Sequence, residues 1–71
     1  MTDAEYRACG YSYRLHFVAE HTSGIMAGRT RNDSLCFCRR EDAQSWIDGV
    51  NRNHKRGTVN YKVTHGEVVK L

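Results

Sequence analysis

Residues 34–50 constrain the fold of this chain more than any other part of the sequence. Up to Arg39 the side chains alternate between apolar and polar, which is typical of a β-strand. Beyond Arg39 apolar residues recur at positions i, i+3, i+4 and i+7, the spacing of one face of an amphipathic helix. These four residues are Ala43, Trp46, Ile47 and Val50. A strand that leads into such a helix needs a sheet for the helix to cover, so this segment predicts an α+β fold.

The alternation elsewhere predicts a small antiparallel sheet of about four strands in the order ββ-β-α-β, with one amphipathic helix packed on one face. The predicted strands are residues 11–20, 25–31, 34–39 and 58–64, and the predicted helix lies around residues 42–52. Turns are predicted at 21–24, 32–33 and 65–66, which leaves 67–71 as a short last strand or a tail. Residues 1–10 form a flexible arm or a short helical turn. The predicted core comprises Leu15, Phe17, Leu35, Phe37, Ala43, Trp46, Ile47, Val50, Val59, Tyr61 and Val63.

The length of the chain limits what it can enclose. A chain of 71 residues has room for one domain and one hydrophobic core. Folding at this size buries only about 60% of the surface that the unfolded chain exposes, so no deep substrate cavity is expected. No apolar run approaches the roughly 20 residues of a membrane span, and the charged residues 1–7 lack the apolar core of a signal peptide. We therefore expect a cytoplasmic, single-domain protein with no membrane partner.

Three cysteines are the candidates for a disulfide, and two of them are the first candidates for a metal site. Cys9, Cys36 and Cys38 form an odd set without an export signal, which predicts reduced thiols. Cys36 and Cys38 would share one face of a strand and could bind zinc together with Cys9 or a histidine. Cys-x-Cys on a flat strand is, however, a poorer chelate than the usual Cys-x2-Cys knuckle, and free cysteines are often small buried hydrophobes. We therefore predict no metal and no cofactor.

The face of the sheet opposite the helix is predicted to be adhesive. If Leu35 packs on the helix, then Cys36, Cys38, His16 and Val18 share the far face. Two thiols and a valine on a face that meets water are typical of a surface that binds a partner or a second copy. A homodimer through a sheet edge or a sheet face therefore stays open as an alternative.

Positive charge is unevenly distributed along the chain. The formal net charge is +3, and basic residues concentrate at the strand-to-helix junction and just after the helix. The basic candidates for binding are Arg29, Arg31, Arg39, Arg40, Arg52, Lys55 and Arg56. Such a patch attracts acidic partners, including nucleic acid. The alternative explanation is that a small domain needs net charge to stay in solution.

No catalytic signature is present, and we predict that the protein is not an enzyme. A nucleophilic cysteine needs a base and an oxyanion site, and no known signature surrounds any cysteine here. Glu41 and Asp42 are adjacent on the predicted helix, so they point apart and act at the helix N-terminus instead. Gly24 and Gly28 have the spacing of turns, and no glycine-rich phosphate-binding loop is found.

Residues 13–50 resemble AP2-type and integrase arm-binding domains. The resemblance depends on Phe37, on an acidic helix start at Glu41, and on the Ala-x-x-Trp-Ile face formed by Ala43, Trp46 and Ile47. In those families a three-stranded sheet enters the major groove of DNA. The resemblance implies that Arg14, His16, Arg29 and Arg31 would contact DNA. The chain as a whole also resembles small proteins encoded by phages and prophages.

Two functions follow as expectations. The first is a non-catalytic binding protein that occupies a surface of a host protein or nucleoprotein complex, as a phage-type inhibitor or modulator of nucleic-acid machinery does. The alternative is a regulatory domain that binds DNA or RNA directly through its basic residues. The candidate binding residues are the seven basic residues named above together with His16, Cys36 and Cys38.

Overall fold

The computed structural model describes residues 1–71, which form a three-stranded antiparallel sheet and two helices. The elements in chain order are α1 (Asp3–Ala8), β1 (Tyr13–His21), β2 (Thr30–Phe37), α2 (Arg40–Lys55) and β3 (Tyr61–Lys70). Strand β1 lies in the centre of the sheet and pairs with both other strands. The predicted α+β class and antiparallel sheet are confirmed. The sheet has three strands rather than four, and α1 is a helix in addition to the predicted one.

Helix α2 packs its apolar stripe against one side of the sheet, which we call the inner face. Ala43 and Val50 are buried, and the Trp46 ring centroid lies 4.9 Å from that of Phe17 on β1. The buried core comprises Leu15, Phe17, Ala19, Ala43, Val50 and Val63, with Phe37, Trp46, Ile47, Tyr61 and Val68 packed around it. The helix face predicted from the apolar spacing is therefore confirmed.

Two residues predicted to belong to the core lie outside it. Leu35 is 38% exposed because β2 is an edge strand and α2 packs mainly against β3, so the inner face of β2 has no complete cover. Val59 precedes β3 instead of lying within it, and it is half-buried. Membership of the core thus depends on which strand the helix covers, in addition to side-chain alternation.

The connection between β1 and β2 differs from the prediction of a separate strand at 25–31. Residues 22–29 form a loop in which Gly24 and Gly28 have φ angles of 79° and 85°. Such angles are left-handed and suit glycine, and they interrupt an extended chain. The loop is closed by a hydrogen bond of 2.8 Å from the Gly28 N–H to the His21 carbonyl. The predicted turn at 32–33 is also wrong, because Asn32 and Asp33 pair with β1 in the middle of β2.

Strand β3 continues through the turn predicted at His65–Gly66. Its register with β1 shifts between two neighbouring pairs, Ala19 with Val63 and Val18 with His65, so that Thr64 is an extra residue. Such a bulge moves every later side chain to the opposite face. Gly66 therefore lies on the inner face with Val63, although strict alternation would place it on the other one. Because of this change of phase, the apolar alternation of the sequence does not predict residues 61–70 as one strand.

The Asn51 side chain of α2 binds the edge of β3 next to this bulge. Its Oδ1 accepts a hydrogen bond of 2.9 Å from the Val63 N–H, and its Nδ2 donates one of 3.4 Å to the Val63 carbonyl. Both backbone groups lie on the side of β3 that faces away from β1. A single amide therefore joins the helix to the strand and satisfies two edge groups.

The predicted N-terminal arm contains the short helix α1. A capping box links Thr2 and Glu5, whose side chain and backbone groups bond reciprocally. Arg14 of β1 fixes the helix to the sheet: its guanidinium lies 2.7 Å from Asp3 and 5.2 Å from the centroid of the Tyr6 ring. Because Arg14 alternates with Leu15, α1 contacts the outer face, the side of the sheet opposite α2.

Replacing Asn51 by alanine should lower the free energy of unfolding by about 1–2 kcal/mol, since two hydrogen bonds are lost from a part-buried site. Urea denaturation followed by the fluorescence of Trp46 measures the change. Asn53→Ala is the matched control, because it makes the same change of helix propensity at an exposed position of α2 whose side chain makes no hydrogen bond. Equal stabilities of the two variants would contradict a role for the Asn51 amide.

Gly66→Val should destabilise the protein by about 1–3 kcal/mol through overpacking. A Cβ at Gly66 would lie 2.8 Å from Ile47 Cδ1 and 3.3 Å from Leu15 Cδ1. Gly49→Ala in α2 is the control, because a Cβ there meets no atom within 4 Å. It should stabilise the protein by about 0.5–1 kcal/mol through helix propensity. Thermal denaturation measures both, and a neutral Gly66→Val would show that the helix does not depend on this close approach.

Candidate functional site

One end of the molecule collects several elements that are distant in sequence. β1 ends there, β2 begins there, α2 runs back to it after β2, and β3 starts from it. Thr22 joins these elements: its Oγ1 is hydrogen bonded to His54 Nε2 at 2.7 Å, and its N–H donates to the Asn60 carbonyl at 2.8 Å. We call this region the hairpin end; it comprises the loop 22–29, the last turn of α2 and residues 56–62, which include the start of β3.

The hairpin end carries five exposed basic residues that form no ion pair within 4.0 Å, which we call the basic cluster; one of them, Lys62, lies opposite Glu20 on β1. They are Arg29, Arg52, Lys55, Arg56 and Lys62. All ion pairs within 4.0 Å involve other arginines, namely Arg14, Arg31 and Arg39. Arg52 and Lys55 also lie at the negative end of the α2 dipole and stabilise that helix. Arg29, Arg56 and Lys62 lie outside the helix, so the dipole does not explain the whole cluster.

Apolar side chains lie beside this charge at the tip of the loop 22–29. Ile25 is 100% exposed and Met26 is 41% exposed. Next to them is an open groove of about 490 Å³, lined by apolar and aromatic residues from the loop and from the start of β3, including Met26, Val59 and Tyr61. The exposed Ile25, the adjoining groove and the basic cluster together form the candidate binding surface of this chain.

The remaining predicted basic residues lie elsewhere and are already engaged. Arg39 precedes α2 and makes two hydrogen bonds to Asp42, of 3.0 and 3.3 Å. That contact, reinforced by Glu41, raises the pKa of Arg39. Arg40 lies over the Tyr13 ring at 5.2 Å. A helix of 16 residues is about 24 Å long, so these two arginines are separated from the hairpin end by the length of α2.

Arg31 occupies an intermediate position on the inner face of β2. Its Nε lies 4.0 Å from Asp33 Oδ2, and its guanidinium is 5.9 Å from the centroid of the Tyr61 ring. The side chain reaches across Ala19, which is the residue opposite it on β1. Both contacts are long, so the guanidinium is only loosely held.

The outer face of the sheet contains His16 and Cys36, two further predicted binding residues. His16 is exposed and lines an open groove of about 710 Å³ together with Asn32, Ser34, His65 and Glu67. Cys36 is half-buried and lies opposite Arg14; this nearby thiol, followed by the Asp3 carboxylate, raises the pKa of Arg14. An arginine is charged at every pH at which the protein is folded, so this shift changes no charge.

Cys38 lies beyond the end of β2 and does not share a strand face with Cys36. It is exposed and borders Arg39 and Arg40 near the start of α2. All three cysteines are free. No group of three or more His, Cys, Asp or Glu side chains comes close enough together to hold a metal ion, and neither helix has the length and apolar character needed to cross a bilayer.

The structure thus groups the predicted binding residues differently from the sequence. Arg29, Arg52, Lys55 and Arg56 come together at the hairpin end, whereas Arg39, Arg40 and Cys38 lie at the opposite end, with His16 and Cys36 on the outer face. Sequence reasoning missed Ile25, Met26 and Lys62. The two glycines at 24 and 28 were the available signal for an exposed loop tip, while nothing in the sequence connects Lys62 with the helix end.

Comparison of the chain with protein-family models, with curated protein sequences and with solved structures gave no match. The resemblance to AP2-type and integrase arm-binding domains therefore stays a prediction. The residues that it implied for DNA contact are spread over three places: Arg14 and His16 on the outer face, Arg29 in the loop, and Arg31 on the inner face.

Proposed function

We propose that this chain is a non-catalytic binding protein that docks through its hairpin end on an acidic surface of a host protein or nucleoprotein complex, and that it modulates nucleic-acid machinery in this way. The observation that carries the proposal is the combination of a fully exposed Ile25 with five basic residues that form no ion pair within 4.0 Å. Neither feature contributes to the core, so both are available to a partner.

The two parts of this surface have separate tasks. Unpaired cations at one end raise the rate of encounter with an acidic partner and orient the approach. Apolar side chains that enter a pocket contribute most of the affinity once water is excluded. Ile25 and Met26 are positioned for that task, because the loop carries them beyond the sheet.

An apolar tip favours a partner that contains protein. The phosphate backbone of a nucleic acid binds cations but offers no pocket for an exposed isoleucine. A protein surface, alone or in a nucleoprotein complex, can offer acidic residues and an apolar pocket together. The proposal therefore places protein or nucleoprotein first as the target.

Direct binding to DNA or RNA is the second candidate, and the unpaired charge of the basic cluster supports it. Five cations at one end could neutralise several phosphates. In this case the tip would contribute little, and the charge would dominate the affinity. The two candidates therefore predict different effects of removing the tip.

Capture from a nuclease-treated lysate tests the first candidate with three variants. The tip variant is Ile25→Ser with Met26→Ser, and the basic variant is Arg52→Gln, Lys55→Gln and Arg56→Gln. The control variant, Arg39→Gln, Arg40→Gln and Lys70→Gln, removes the same number of charges at the opposite end. We expect a protein that binds the wild type to be reduced at least about tenfold with the tip and basic variants, and to be retained with the control. Circular dichroism verifies that each variant is folded.

The first candidate is contradicted if no protein is captured, or if what is captured binds the tip variant as well as it binds the wild type.

A salt titration with mixed-sequence DNA and RNA tests the second candidate by fluorescence anisotropy. Direct binding should weaken by about 0.9 log unit per log unit of salt for each phosphate neutralised on duplex DNA. The basic variant should lower this slope, and the tip variant should leave it unchanged. An absence of binding at low salt, or a response that salt does not alter, excludes the second candidate.

A further inference from the structure

The two edges of the sheet differ in how well they are protected. At the β3 edge the bulge at Thr64 and the Asn51 side chain interrupt the row of free backbone groups. Edge strands without such features tend to pair with another strand. The β2 edge has no bulge, no proline and no side chain from another element bonded to it. Its residues 30–35 are all exposed.

The hydrogen-bond pattern shows which groups of β2 are free. The His21 N–H donates to the Arg29 carbonyl, so odd-numbered residues of β2 bond to β1 in the alternating pattern of an antiparallel pair. Thr30, Asn32 and Ser34 therefore direct their N–H and C=O groups away from β1. The Ser34 N–H agrees with this direction, because it donates to the Asp33 side chain at 2.8 Å and not to β1.

The charges on β2 are complementary to those of a second copy. Arg31 and Asp33 lie two residues apart on the inner face, with Asn32 between them. In an antiparallel pair of two β2 strands, a two-fold axis through Asn32 places Arg31 of each copy opposite Asp33 of the other. Opposite charges across strands are stabilising, and like charges directly opposite are destabilising.

Other registers lack this match. A two-fold axis perpendicular to the sheet keeps the inner faces of both copies on the same side. Odd-numbered residues of one strand then lie opposite odd-numbered residues of the other, so the axis has to pass between the two copies of one residue. An axis through Asp33 places two carboxylates opposite each other, and one through Arg31 does the same with two guanidinium groups. An axis through Ser34 leaves Asp33 facing Leu35. Only the axis through Asn32 pairs both charges, and it also sets Thr30 opposite Ser34 on the outer face, where two hydroxyls can hydrogen bond.

We propose that two copies of this chain pair through β2 about a two-fold axis at Asn32 and form one six-stranded antiparallel sheet. On pairing, the Ser34 N–H exchanges the Asp33 carboxylate for the Thr30 carbonyl of the second copy. The carboxylate that is released then meets Arg31 of the second copy, whose present contacts, at 4.0 and 5.9 Å, are long. The paired residues 30–34 include neither the loop tip nor the end of α2, so different variants test this pairing and the proposed docking surface.

Sedimentation equilibrium over about 1 µM to 1 mM protein measures this pairing directly. The wild type should show a concentration-dependent equilibrium between monomer and dimer that weakens with salt. Arg31→Asp alone and Asp33→Arg alone should each raise the dissociation constant at least about tenfold, because each sets like charges opposite in two places. The double variant exchanges the two charges and should restore the wild-type constant to within about threefold.

Asn32→Pro removes the edge N–H on the axis and leaves the bonds to β1 in place, so it should be monomeric. Asp48→Arg, at an exposed position of α2, is the control and should dimerise as the wild type does. A wild type that stays monomeric at about 1 mM, or a double variant that fails to restore pairing, overturns the proposal. Where Asn32→Pro does not fold, the charge exchange decides alone. The Ile25→Ser variant should dimerise normally, which separates this test from that of the docking surface.

Discussion

The packing of helix α2 on the sheet depends on one extra residue in β3. Side chains alternate along a strand with period two, so an uninterrupted β3 that buries Val63 would also turn His65 and Glu67 toward the helix. The bulge at Thr64 changes the phase and brings Gly66 beneath α2 instead. The Asn51 amide then binds beside the bulge. Apolar packing of the helix is possible only because the strand changes phase at this point.

The small hydrophobic core fills the space between α2 and the sheet, so a binding site would have to lie on the surface. Six residues are buried, and they lie between α2 and the sheet. The grooves lie outside them: the larger one follows the outer face, and the more apolar one lies at the hairpin end. A binding role such as the one proposed would therefore depend on exposed side chains, among them Ile25 and the basic cluster.

The parts of the fold that depend on local spacing could be predicted from the sequence. The face of α2 and the inward residues of β1 follow from periodicity alone. A turn ending at Gly24 was predicted, but residues 25–29 were predicted as part of a strand, because left-handed backbone at Gly28 leaves no trace in the apolar pattern. The bulge is defined by the partner strand and is invisible in β3 itself. The candidate site was half predicted: four basic residues were named, but the sequence does not show that Lys62 joins them while Arg39 lies at the other end.

The conformation of the loop that carries Ile25 is fixed by bonds within the chain itself. Backbone hydrogen bonds from Gly28 to His21, from His21 to Arg29 and from Thr22 to Asn60 hold it at both ends. A segment that already has its bound shape loses little conformational entropy on association. If the tip docks as proposed, its affinity also depends on the left-handed backbone of Gly24 and Gly28. Substitution of either glycine would then weaken docking by raising the cost of holding the loop, even with Ile25 and Met26 unchanged.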